Sequence, residues 1–159
     1  MPDTALLTTP DPSRFPPLPA ERAERWSRFG RWDRVYFPSF VGLVVEEIRL
    51  GYARMRLPWR SELAQPAGVL HGGALATLVD TVVVPAVGGA YDEIPVMFTV
   101  SMQVQYLGAV RDEDAVAEGW VVQRGRSTVF CEAAVRTASG TPAATGTLVY
   151  TVRPASPTA

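Results

Sequence analysis

The stretch GVLHGGALATLVDTVVVPAV, residues 68–87, constrains the fold more than any other part of the chain. Gly72 and Gly73 are followed by strong helix formers, with apolar residues at Leu75, Leu78, Val79 and Val82, which predicts one buried helix from about Gly73 to Ala86. The β-branched run and Pro85 oppose that reading. Pro85 has no N–H for the Thr81 carbonyl, so the helix is expected to kink there or to end near Gly88 and Gly89. The same stretch holds the only histidine, His71, and one carboxylate, Asp80, among apolar neighbours.

Segments on both sides of this helix read as strands. VGLVVEEIRLGYARMRLPW breaks at Gly51 into two strands joined by a tight turn, and Pro58 ends the second. VMFTVSMQVQYLG alternates Phe98, Val100, Met102, Val104 and Tyr106 with Thr99, Ser101, Gln103 and Gln105, which predicts a strand with one packed face. AVAEGWVVQ, STVFCEAAVRT and ATGTLVYTV follow, separated by RGR and ASGTPA in the manner of antiparallel hairpins, and RDEDA at 111–115 reads as another hairpin tip rather than a calcium loop. An apolar helix between strands is buried only if the antiparallel sheet wraps around it. The expected class is therefore α+β, with the sheet enclosing the helix of residues 73–86.

Composition narrows the function. The 159 residues are 47% hydrophobic and 19% charged, enough for one domain with a core. Fifteen basic side chains, all arginine, nearly balance sixteen acidic ones without clustering, which argues against nucleic acid as a partner, and the absence of lysine removes Schiff-base chemistry. One cysteine, Cys131, excludes an internal disulfide and reads as a small core residue. No leader and no long apolar run is present, so a cytoplasmic protein without a membrane partner is expected. Six of the fourteen prolines fall within residues 1–19, an extended or disordered arm. Residues 20–36 are expected to form a helix, with Glu21/Arg25 and Glu24/Arg28 at helical spacing and Trp26, Phe29 and Trp32 along one side. Residues 37–153 form the main domain and 154–159 a tail.

Gln65, His71-Gly72-Gly73 and Asp80 stand at fixed offsets, the Gln six residues before the His and the Asp nine after it. Together with FTVSMQVQYL and GRSTVFCEAAVRTASGTPAATGTLVYTV, this constellation resembles the hotdog-fold acyl-CoA thioesterases of the phenylacetate-pathway (PaaI-like) type, over residues 40–153. The resemblance implies hydrolysis of an acyl-CoA ester without a cofactor or metal. It implies that the Gly72 backbone N–H polarises the thioester carbonyl, that Gly73 leaves room for the acyl group, and that Asp80 is either the general base or the nucleophile. Gln65 would position the water or the thioester oxygen, His71 would shape the turn, and Thr99 would face the catalytic water. Arg124 and Arg126, flanking Gly125, are candidates for the coenzyme A phosphates.

Other chemistries lack their residues: there is no G-x-S-x-G elbow, no His/Cys zinc cluster and no nucleotide-binding glycine pattern. A non-hydrolysing acyl-CoA binding or sensing module on the same fold remains the alternative. Asp80 lies eight residues beyond Gly72, or about 12 Å along a helix, so one thioester carbon cannot touch both. This predicts sites shared between subunits of a homodimer, with a tetramer of two dimers as the larger option.

Overall fold

The computed structural model describes residues 7–153 and 155; the first six residues, position 154 and the last four, with most of the expected tail, lie outside this range. Three helices, α1 (Ala20–Ser27), α2 (Phe37–Val41) and α3 (Gly72–Gly88), accompany strands β1 (Val44–Arg49), β2 (Tyr52–Leu57), β3 (Ala64–Gln65), β4 (Val69–Leu70), β5 (Val96–Tyr106), β6 (Ala115–Arg124), β7 (Thr128–Thr137) and β8 (Pro142–Arg153). Six strands form one antiparallel sheet in the order β1-β2-β6-β7-β8-β5, while β3 and β4 make a small hairpin just before α3.

The hairpins β1-β2, β6-β7 and β7-β8 occur where the turn residues place them. The RDEDA segment does not turn a hairpin. β5 pairs with β8 at the sheet edge and β6 lies between β2 and β7, so residues 107–114 cross the end of the sheet. The carboxylates of that segment anchor the crossing. Asp114 accepts from the Trp59 N–H at 2.9 Å and from Arg56 at 3.3 Å, and Glu113 accepts from the Ser139 N–H at 2.9 Å.

α3 begins one residue earlier and ends two residues later than expected, with Pro85 inside it and the Gly89 N–H bonded to the Pro85 carbonyl at 2.9 Å. Burial against the sheet outweighs the β-branched composition, because Leu78, Val79, Val82, Val83 and Val87 are all inaccessible to solvent. The sheet accommodates the helix along a row of small residues in direct register, Ala53, Gly119, Ala133 and Gly146. A Cβ on Gly119 would stand 2.7 Å from Val82 Cγ1 and 2.8 Å from Val83 Cγ1. Both valines are rigid and fully buried, so neither can yield. Gly119→Ala is accordingly expected to cost about 1–3 kcal/mol by overpacking and to lower Tm by about 3–10 °C. A thermal melt checks this, and an unchanged Tm would mean that the helix does not ride on this row.

β5 departs from the simple alternation. Its register with β8 shifts between Thr99 and Ser101, leaving Val100 as the extra residue of a bulge. The inward parity changes there, so that Thr99 on one side and Tyr106 on the other both reach α3. The supposed packed face is consequently divided: Val104 joins the core, whereas Phe98 and Val100 are 62% and 65% exposed.

The N-terminal arm, over its described residues, is extended but not free. Leu7 is buried, Phe15 stacks on Tyr52 with ring centroids 5.3 Å apart, and the Leu50 N–H bonds the Pro16 carbonyl at 2.9 Å. Scattered apolar residues anchor it where no periodicity announces them. α1 stops at Ser27, well short of residue 36, because the chain turns through Gly30 at φ +83. Trp26, Phe29, Trp32 and Tyr36 then form a ladder of ring contacts at 5.1–5.9 Å, and buried Trp26 seats against Gly88 at the end of α3.

Candidate active site

His71 is the N-cap of α3. Its backbone is extended (φ −64, ψ 139), and its Nδ1 accepts the Gly73 N–H at 2.8 Å. That bond holds the ring against the turn that opens α3. It also occupies the Gly73 N–H. Among the described residues the Gly72 N–H has no acceptor, and it sits at the positive end of a 17-residue helix. Tyr106 of β5 donates to the Gly72 carbonyl at 3.0 Å and lays its ring beside the glycine, where a Cβ would come within 3.3 Å of the ring. The absence of a side chain at Gly72 thus lets an aromatic wall approach the helix start.

Two turns further along α3, Asp80 is half-buried rather than enclosed. Its Oδ1 accepts from Thr99 Oγ1 at 2.8 Å and from the Tyr150 hydroxyl at 2.7 Å. Thr99 and Tyr150 are direct cross-strand partners on β5 and β8, immediately before the Val100 bulge. Thr99 therefore touches the carboxylate itself. Tyr150 was not among the residues singled out from the sequence, where it reads only as an inward position of an alternating strand.

Of the remaining candidates, Gln65 lies on the hairpin that leads into α3, opposite Val69, and the two arginines lie elsewhere. Gln65 ends β3, exposed, with its backbone carbonyl bonded to the Gly68 N–H at 2.9 Å. Arg124 serves the opposite end of α3: its Nη2 donates to the Val87 carbonyl at 3.3 Å and its guanidinium lies over the Tyr91 ring at 5.1 Å. Arg22 caps the same end, donating to the Ala90 carbonyl at 3.1 Å. Arg126 is exposed in the β6-β7 turn. Cys131 lies in the core, where burial pushes its thiol up to about 12.

The profile of the thioesterase superfamily matches residues 67–144. A Halobacterium salinarum protein whose name places it provisionally among the esterases is 35% identical over 109 residues, covering 65% of this chain and 71% of its own. The chain belongs to the thioesterase superfamily. Its sheet and central helix are the hotdog fold of that superfamily. Among solved structures, a conserved Pseudomonas aeruginosa protein is 27% identical at TM-score 0.70, over 76% of this chain and 95% of its own. The Escherichia coli PaaI protein from the phenylacetic acid degradation operon has TM-score 0.76 at 13% identity, over 89% of this chain and 99% of its own, and is alike in fold. Membership makes this thioesterase a hydrolase of thioesters. Asp80 and the Gly72 N–H lie inside the matched region.

Proposed function

We propose that this thioesterase hydrolyses an acyl-coenzyme A ester, in the manner of the PaaI-like branch, at a site shared between two protomers. The observation that carries the reading is the pairing of a free Gly72 N–H at the start of α3 with a hydroxyl-anchored carboxylate at Asp80, two turns along the same helix. Eight residues of helix separate them by about 12 Å, so each works with its counterpart from another chain. The free side of β5 supports such an assembly. It is an eleven-residue edge strand with Val96, Phe98 and Val100 exposed, the kind of edge that pairs with a second copy. A dimer supplies two composite sites, and two dimers can assemble into a tetramer.

In the hydrolytic step Asp80 takes a proton from water as the oxygen attacks the thioester carbonyl. The oxyanion receives the Gly72 N–H, and on collapse the C–S bond breaks and the thiolate of coenzyme A takes the proton. If Asp80 instead attacks the carbonyl directly, the same N–H stabilises the same charge, collapse breaks the C–S bond and expels the coenzyme A thiolate, and water then cleaves the mixed anhydride to the free acid and the Asp80 carboxylate, the proton released going to the thiolate. Gln65 orients the water or the thioester oxygen, and Gly73 leaves space for the acyl chain. Arg126, exposed, remains available for a coenzyme A phosphate, whereas Arg124 must leave the Val87 carbonyl to do so. A cytoplasmic acyl-CoA pool suits this chemistry; among the described residues no helix is long and apolar enough to cross a membrane.

The test is thiol release from acetyl-, hexanoyl-, dodecanoyl- and phenylacetyl-coenzyme A by the purified protein. At least one ester is expected to be turned over with kcat/KM above about 10⁴ M⁻¹s⁻¹. Saturable binding of these esters with no thiol release would contradict the proposal and favour a binding module.

A further inference from the structure

Two hydroxyls hold the same oxygen of Asp80, and they differ in one respect. Thr99 is exposed on the edge strand, whereas Tyr150 is 3% exposed on β8, beneath the carboxylate. The Tyr150 hydroxyl lies 2.7 Å from Asp80 Oδ1 and 2.8 Å from the Asp80 backbone carbonyl. It has one proton to give, and a carboxylate oxygen is a stronger acceptor than a backbone carbonyl. Burial first, and then the neighbouring Asp80 charge, push the Tyr150 phenol well above its usual range, so it remains a donor throughout the working pH range. Asp80 Oδ2 has no protein donor among the described residues.

From this geometry we infer that Tyr150 is the positioning residue of the thioesterase site: it pins Asp80 Oδ1 to the sheet and leaves Oδ2 as the oxygen that does the chemistry. The inference rests on the catalytic reading of Asp80 and deepens it, because it holds whether Oδ2 acts as base or as nucleophile. An unanchored aspartate side chain samples several rotamers, and a reacting oxygen must stay within about 3–3.5 Å of its target. Thr99 lies outside the protomer's buried core. Tyr150, packed between the sheet and α3, cannot move without disturbing the core.

The experiment compares wild type, Tyr150→Phe and a protein carrying p-aminophenylalanine at position 150, with hexanoyl- and phenylacetyl-coenzyme A as probes. Phenylalanine keeps the buried ring and removes only the donor. It is expected to lower kcat by about 10- to 100-fold with KM within about twofold. The aniline N–H restores a donor at the same place and is expected to recover most of kcat. A Tyr150→Phe enzyme within about threefold of wild-type kcat would overturn the inference. So would a loss that the aniline does not repair, since that is the mark of a packing role. Asp80→Asn, measured beside them, separates the two levels: an active Asp80→Asn enzyme removes the catalytic reading itself. An inactive one beside a fully active Tyr150→Phe enzyme removes only the role of Tyr150.

Discussion

Asp80→Asn is expected to lower kcat by about 10²- to 10⁴-fold, the range for loss of a positioned acid-base or nucleophilic carboxylate. The amide has nearly the same shape. Its Oδ1 still accepts from Thr99 and Tyr150, so the contacts at 2.8 and 2.7 Å survive and the fold with them. What disappears is the charge at Oδ2. Steady-state kinetics with the best ester of the panel, beside a melting curve, check this expectation. Near-normal turnover in a folded mutant would remove Asp80 from the chemistry.

Gly72→Pro removes the other half of the proposed site by backbone chemistry. Proline is favoured at the first residue of a helix because the N–H there has no intrahelical partner. It also asks the preceding residue for an extended conformation, and His71 already adopts one at ψ 139. The new Cβ meets the Tyr106 ring at 3.3 Å, and that side chain is 55% exposed and able to swing aside. Loss of the proposed oxyanion donor is expected to reduce kcat by about 10²- to 10³-fold while the protein stays folded. Gly72→Ala is the control, since it meets the same ring but keeps the N–H, and most of its activity should persist. Equal activity in the proline and alanine variants would place the oxyanion donor elsewhere.

How far these groups were legible from the sequence depends on the range of the interaction that places them. The α3 segment announced itself through a local pattern, and its ends fell within two residues of expectation in spite of Pro85. The spacing of Gln65, His71, Gly72 and Asp80 is local too. Tyr150 is remote, 70 residues beyond Asp80, and only the β5-β8 register joins it to Thr99. That register depends on the bulge at Val100, which no residue type signals; strict alternation would have put Thr99 and Tyr106 on opposite faces. The crossing at 107–114 was unreadable for a related reason. A polar, acidic loop looks the same whether the next strand pairs with its predecessor or lies three places away, and only the completed sheet order distinguishes them. The Pro-rich arm carries no period, yet Leu7 and Phe15 each find a surface to cover.

Subunit mixing distinguishes a site shared between protomers from one contained in a single protomer. Gly72→Pro and Asp80→Asn proteins are purified separately, mixed in equal amounts and allowed to exchange, with exchange followed by a mass tag on one of them. In a mixed dimer one site carries both lesions and the other carries neither. Random reassociation makes half the dimers mixed, so about a quarter of wild-type activity is expected to return from two nearly inactive proteins. If exchange is complete and activity remains the average of the two separate mutants, Gly72 and Asp80 do not work across the interface and the site is not shared.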